Sequence, residues 1–170
     1  VIVGKKDGSI RMCADYRSLN SLTEKESFPM PNISHLLDCL AGAKFFSSLD
    51  LGQDYYQVAL SAESQEKTAF STKSGQYCFQ RLPFGLTTAP ATFQRLMNNM
   101  LEGILFNGAV VYLDDILIYG KDKVEHDSRL KEVFKRIRDT GVRINSEKCK
   151  LYKKELLFLG HTVSEFGVRT

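Results

Sequence analysis

Apolar residues fall along this chain in short alternating or β-branched runs, interrupted by two longer stretches of helical spacing. Val1-Ile2-Val3 and Ser9-Ile10-Arg11-Met12-Cys13-Ala14 flank Lys6-Asp7-Gly8, and Asp-Gly between strand-like runs predicts a hairpin. Asp15 to Asn20 predicts a short helical turn, and residues 21 to 31, with Pro29 and Pro31, an extended connection. Asn32 or Ser34 caps a helix that runs to about Leu40 and stops at Gly42. Lys44 to Asp50 reads as a strand ending on a carboxylate, followed by a turn or short helix through Tyr56. Thr68–Thr72 and Gln76–Phe79 predict a second hairpin around Lys73-Ser74-Gly75. After a loop at Arg81–Leu86, Thr88 caps a helix with Pro90 in its first turn and Phe93, Leu96, Met97, Met100 and Leu101 on one face. Val124–Thr140 is amphipathic, with Leu130, Val133, Phe134 and Ile137 inward, and Gly141 ends it. Cys149–Tyr152 and Leu156–His161 predict short terminal strands. This order of elements predicts an α+β fold, an antiparallel sheet with helices packed on one face.

Between the two long helices lies Gly108-Ala-Val-Val-Tyr-Leu-Asp-Asp-Ile-Leu-Ile-Tyr-Gly120, two buried-strand runs with Asp114 and Asp115 at their junction. Adjacent carboxylates repel, and burial penalises both ionised forms. A divalent cation removes both costs, and Mg²⁺ favours oxygen ligands, including one or two carboxylates. An exposed Asp-Asp turn is the bland alternative, since Asp is common in turns. Asp50 ends a distant strand that an antiparallel sheet can bring beside this hairpin. Successive strand side chains point to opposite faces, so Asp114 and Asp115 share a site only near the turn, and one of them should be the weaker ligand.

Composition alters this picture little. The chain has 170 residues, 43% hydrophobic and 25% charged, enough for one domain with a core. A net charge of +3 does not by itself argue for nucleic acid. Lysines and arginines gather near the start and over residues 131–154, where a solvated face is the commoner meaning. Cys13, Cys39, Cys78 and Cys149 are scattered, with no zinc spacing, and read as reduced thiols. His35, His126 and His161 read as surface or core residues rather than catalytic ones. No apolar run approaches a membrane span and no signal-peptide pattern opens the chain. The start at Val1, apparently inside a strand, is expected of a piece of a longer polypeptide.

Tyr112-Leu113-Asp114-Asp115 resembles the Tyr-x-Asp-Asp signature of reverse transcriptases. Asp50 followed by Tyr55-Tyr56-Gln57-Val58 is similar to their first catalytic motif. Leu82-Pro83-Phe84-Gly85-Leu86, with Ala89-Pro90 and Phe93-Gln94, resembles their template-and-nucleotide loop. Arg11–Asn20 resembles the fingers strand and Phe158-Leu159-Gly160-His161 the start of the primer grip. The wording is similar to the pol polyprotein of gypsy-type LTR retrotransposons, over essentially the whole chain and in the right order.

The resemblance implies a polymerase right-hand fold: partial fingers over about residues 1–42 and 60–80, palm in the remainder. It implies an RNA-directed DNA polymerase, a nucleotidyltransferase copying RNA or DNA by primer 3′-OH attack on the dNTP α-phosphate. Asp50, Asp114 and Asp115 would hold two Mg²⁺ ions, with Mn²⁺ as a substitute. Lys5, Lys6 and Arg11 would reach the triphosphate. Gly52 and Gln53 would offer backbone N–H groups to it, Tyr55 would exclude a ribose 2′-OH, and Phe84 and Gly85 would pack on the nucleotide. Arg17, Tyr112, Gly160 and His161 would lie against primer and template. Lys148 is a candidate to protonate pyrophosphate, beside the plainer reading of a solvated lysine. Thumb, connection, RNase H, protease and integrase are expected elsewhere in the polyprotein, and the location would be cytoplasmic, in a virus-like particle, or nuclear. One departure is Asp54, where the family has glycine: a carboxylate near the triphosphate would repel it. The alternative function is therefore an inactive, truncated or decayed module that only binds nucleic acid or protein.

Overall fold

The computed structural model describes residues 2–4, 8, 10–25, 28–52 and 54–169, without the side chains of residues 2, 3, 10–12 and 54. These form two compact units, one of residues 1–28 and 53–93 and one of residues 29–52 and 94–170.

In the first unit, β1 (Ile2–Gly4) and β2 (Ile10–Met12) pair antiparallel, Val3 opposite Arg11. Helix α1 (Arg17–Leu22) follows, and a 3-10 helix spans Asp54–Gln57. Helix α3 (Ala62–Lys67), which the periodicity did not predict, is capped by Ser61, whose Oγ accepts from Ser64 N at 3.3 Å. The hairpin β4 (Phe70–Thr72) and β5 (Gly75–Tyr77) turns at Lys73-Ser74. Tyr16 is buried, and its hydroxyl donates to the Thr68 carbonyl at 3.1 Å.

The second unit is built on a sheet ordered β6-β7-β3-β8, from β3 (Phe45–Asp50), β6 (Ala109–Tyr112), β7 (Asp115–Gly120) and β8 (Lys150–Lys153). Its inner strand β7 is buried on both faces from Ile116 to Gly120. Phe46, Leu117, Tyr119 and Val110 pack with Leu36 and Leu40 of α2 (Ile33–Asp38) and its C-terminal turn, and with Leu156, Phe158 and Val163. The last three come from a separate antiparallel sheet of β9 (Glu155–Phe158), β10 (His161–Ser164) and β11 (Gly167–Arg169). Helix α5 (Lys123–Thr140) buries Leu130, Val133 and Ile137. Gly141 closes it at φ 71°, as the sequence signals, and at the other end Asp122, not named from the sequence, accepts from Glu125 N at 2.9 Å. Helix α4 (Ala89–Met100) buries Phe93, Met97 and Met100. No helix among the described residues is long and apolar enough to cross a membrane.

His126 of α5 is fully buried and joins the helix to the sheet. Its Nε2 lies 3.0 Å from Ser47 Oγ, which also accepts from Tyr152 N at 3.0 Å. Ser47 Oγ and His126 Nε2 thus share one hydrogen bond, whose donor is set by the tautomer of the ring. Asp127 Oδ1 is 3.9 Å from Nδ1, too far to bond it. Burial outweighs Asp127 and lowers the His126 pKa below its ordinary 6.5. The unfolded chain thus takes up this proton near pH 6.5 while the folded chain resists it, so stability falls as pH drops below that value. His126→Gln, which keeps an uncharged partner for Ser47, is expected to flatten the fall of melting temperature between about pH 7 and pH 5.5, the range that brackets histidine titration. A slope identical to the parent's would assign the pH dependence to other groups.

Candidate active site

Asp50 and Asp115 are directly opposite each other in the β3–β7 ladder. Directly opposed residues project from the same face, so the register puts both carboxylates together. Leu113 and Asp114 are the two turn residues joining β6 to β7. Leu113 has φ 53°, and Asp114 does not share the positive φ, as in a type II′ hairpin. The Asp114 carbonyl accepts from Leu51 N at 3.0 Å, and the Asp50 carbonyl from Asn145 N at 2.9 Å. The ends of the strands that carry the carboxylates are thereby tied to each other and to the chain after α5.

Asp50 and Asp115 line a cavity of about 140 Å³ with Lys148, Lys150 and Leu157, Phe158 and Leu159. Lys148 Nζ lies 3.4 Å from Asp50 Oδ2. The cation offsets part of the repulsion between the carboxylates. Leu159 and Gly160 form the two-residue turn between β9 and β10, at φ 49° and 82°. Both φ values are positive, as a type I′ turn requires, so the turn itself explains the glycine. Gly160 is exposed at the tip and His161 half-buried beside it. Tyr112 is half-buried against the core.

Among the described residues no three His, Cys, Asp or Glu side chains form a ready metal cage. The donor set nevertheless suits a hard divalent cation. Mg²⁺ is commonly held by one or two carboxylates, with substrate phosphates and water completing its shell. Asp50 and Asp115 on one face, with Asp114 at the adjoining turn, supply that number.

The first unit carries the other candidates. Tyr55 packs on Phe84 and edge-on to Phe93, with centroids 5.0 and 5.6 Å apart. Tyr56 stacks on Phe79 and also meets Phe84, edge-on at 5.4 Å. An extended segment would turn Tyr56 away from Tyr55, but the 3-10 helix brings both rings onto Phe84. A Cβ at Gly85, whose φ is 98°, would stand 3.5 Å from Ala14 O, and the Gly85 carbonyl accepts from Asn20 Nδ2 at 2.8 Å. Arg17 forks onto Asp15, with Nη2 2.6 Å from Oδ2, which holds the Asp15 carboxyl down at about 2.

One expectation is corrected. The Gly52 N–H does not face outward to a phosphate: it donates to Arg143 O at 3.1 Å. The residues after Asp50 bridge to the strand-like segment at Ile144, and that pairing consumes the amide. Gln53, Lys5 and Lys6 lie outside the described residues, as do the side chains of Arg11 and Asp54. Sequence reading also passed over Gln94 beyond its place in a motif. The signal was present: Gln94, Met97 and Leu101 recur at i, i+3 and i+7, so an amide sits on a buried stripe.

A paired-carboxylate hairpin beside a strand-end carboxylate is accompanied by a match of residues 3–163 to the family model "Reverse transcriptase (RNA-dependent DNA polymerase)". The chain belongs to the reverse transcriptase family. It is 42% identical, over 99% of its length, to the retrovirus-related Pol polyprotein from transposon 297 of Drosophila melanogaster. It is 37% identical, over 94% of its length, to that from transposon gypsy of the same organism. In each case it spans 16% of the relative. Among solved structures, this chain is similar to the foamy viral protease-reverse transcriptase in complex with dsDNA. The TM-score is 0.90 at 30% identity, over 99% of this chain and 35% of the other. The same viral protein in complex with RNA/DNA hybrid gives a TM-score of 0.88 at 30% identity, over 98% and 22%. The α+β reverse-transcriptase fold expected from the motifs is thus the fold of the chain.

Proposed function

We propose that this chain provides the catalytic part of an RNA-directed DNA polymerase of a gypsy-type retrotransposon. The observation that carries the reading is the register that sets Asp115 opposite Asp50, with Asp114 in the adjoining turn. These carboxylates would hold two Mg²⁺ ions. When bound, such ions supply a lowered pKa at the attacking hydroxyl and neutralise charge on the leaving phosphates. The primer 3′-oxygen bonds to the α-phosphorus of a dNTP, the bond to the β-phosphate oxygen breaks, and pyrophosphate leaves. Lys148, whose Nζ lies 3.4 Å from Asp50 Oδ2, would be the candidate to protonate that leaving group, beside the plainer reading of a solvated lysine. The hairpin β9–β10, which borders the same cavity, would carry the primer through Gly160 and His161. Template and primer as partners are supported by the hybrid and dsDNA bound to the similar viral enzyme. We assign about residues 1–42 and 60–80 to partial fingers and the remainder to palm, with Lys5, Lys6, Arg11, Tyr55, Phe84 and Gly85 serving the nucleotide. The thumb, RNase H and integrase would belong to the remainder of a pol polyprotein.

Primer extension on an RNA template tests the reading. A polypeptide joining this chain to a thumb is expected to add dNTPs with Mg²⁺ and to stop with a chelator. Absence of any extension would favour the inactive, binding-only module. The 170-residue chain alone is expected to extend weakly, since phosphate contacts supply much of nucleic-acid affinity and a thumb adds a second side of them.

Tyr55 has a separate test. Tyr55→Val is expected to raise incorporation of ribonucleotides relative to deoxyribonucleotides, and Tyr56→Val to leave the ratio unchanged. Both rings touch Phe84, so both truncations cost packing, and the ratio rather than the rate is decisive. Equal ratios in the two variants would remove the gate from Tyr55.

A further inference from the structure

Leu113 opens the turn that carries Asp114, and its φ of 53° is rare for a leucine. A left-handed residue with a Cβ is strained and persists only where its surroundings over-determine it. The surroundings here are specific. Gln94, in the middle of α4, is fully buried. Its Oε1 accepts from Leu113 N at 2.7 Å. Its Nε2 donates to Val111 O at 3.2 Å and to Asn98 Oδ1 at 2.9 Å. The two backbone partners bracket Tyr112, and Leu113 is the residue immediately before Asp114. On its far side Asp114 is tied through its carbonyl to Leu51 N at 3.0 Å. The turn is therefore gripped from both sides, by the helix through a side-chain amide and by the end of β3 through its backbone.

We propose that Gln94 is a positioning residue for the carboxylates of the hairpin. It holds Leu113 in the left-handed conformation and so sets the direction in which Asp114 leaves the turn. The proposal rests on the reading of Asp50, Asp114 and Asp115 as the residues that hold divalent metal. A buried glutamine with a purely packing role needs partners anywhere along the core. Gln94 instead spends both ends of its amide on the backbone that delivers Asp114. An apolar side chain of the same length would fill the space and leave Leu113 N–H and Val111 O without these bonds.

The test uses the 170-residue chain, by NMR. In Gln94→Met, exchange of the Leu113 amide is expected to speed up roughly tenfold or more, the scale of losing one buried hydrogen bond. The amides of β3 and β7 should keep their protection. Gln94→Glu is the second variant. Ionised, it still accepts from Leu113 N–H but faces the Val111 carbonyl with a negative charge; protonated, it can donate there as the amide does. Its Leu113 protection should therefore approach the parent's as pH falls, a dependence that a packing role would not produce. A third readout follows Mn²⁺. Paramagnetic broadening at Asp114 should weaken in Gln94→Met relative to the parent at equal Mn²⁺. Unchanged Leu113 exchange in Gln94→Met, or uniform loss of protection through β3, β6 and β7, overturns the proposal, as does a pH-independent Gln94→Glu if the Met variant does not fold. No broadening in the parent, with Leu113 exchange still altered, would remove the metal reading and keep Gln94 as the residue that shapes the turn.

Discussion

Asp114→Asn is expected to reduce primer extension about a thousandfold or more in a polypeptide that joins this chain to a thumb. The change keeps the side chain's shape and its place in the turn but removes a negative charge. Metal-assisted stabilisation of the transition state is worth several kcal/mol, and roughly 4 kcal/mol corresponds to a thousandfold in rate. The Asp114 carbonyl bond to Leu51 is backbone and survives the substitution, so the fold should not change. Asp122→Asn is the matched control. It removes a carboxylate from the same unit, but Asn caps a helix about as well as Asp, so extension should stay near the parent rate. Comparable extension by Asp114→Asn and the parent would detach this carboxylate from the chemistry.

Gly120→Ala is expected to be the most damaging small substitution for stability. A Cβ at this position would stand 2.8 Å from His126 N and 2.9 Å from His126 Cα. These are backbone atoms of the first turns of α5, where His126 N donates to Asp122 O at 3.1 Å. The Gly120 carbonyl in turn accepts from Lys44 N at 2.9 Å, so the strand end is pinned as well. Neither side can yield cheaply. Overpacking of this kind costs about 1–3 kcal/mol, and the backbone partner puts the change at the upper end. For a chain of this size that lowers the melting temperature by roughly 5–10 °C. Gly108→Ala meets the side chain of Arg129 at 2.7 Å instead, which shifts more readily than backbone but adds to the strain of a side chain at φ 157°, so it should fall between the other two. Gly4→Ala meets nothing within 4 Å and should melt with the parent. Ranking the three by thermal denaturation checks the argument, and a Gly120→Ala midpoint equal to that of Gly4→Ala refutes it.

What the sequence determined by itself is what depends on near neighbours. The cap at Asn32 and the stop at Gly141 involve groups within a few residues, so their chemistry is readable wherever the chain goes. The hairpins are equally local. Two β-branched runs around Leu113-Asp114 can do little but turn back on each other, which is why the β6–β7 pair was legible. The apolar stripes of α4 and α5 named most of their buried residues, because period 3.6 marks a face without saying what covers it. The candidate site was legible in part through its motifs, which named Asp50, Asp114 and Asp115 as candidates before any geometry.

Tertiary structure decided the matters that distant segments settle between them. That Asp50 stands opposite Asp115 is a choice of register between strands far apart in sequence, and a slip of one residue would have turned the carboxylate to the other face. The Gly52 amide went to Arg143 because the chain after α5 returns to that strand end. Gln94 became the partner of Leu113, and His126 that of Ser47, only once a helix was laid against the sheet. Those amide and imidazole groups are costly to bury unpaired, so their positions on apolar faces showed that partners must exist. Which partners they found depended on packing that no local pattern contains.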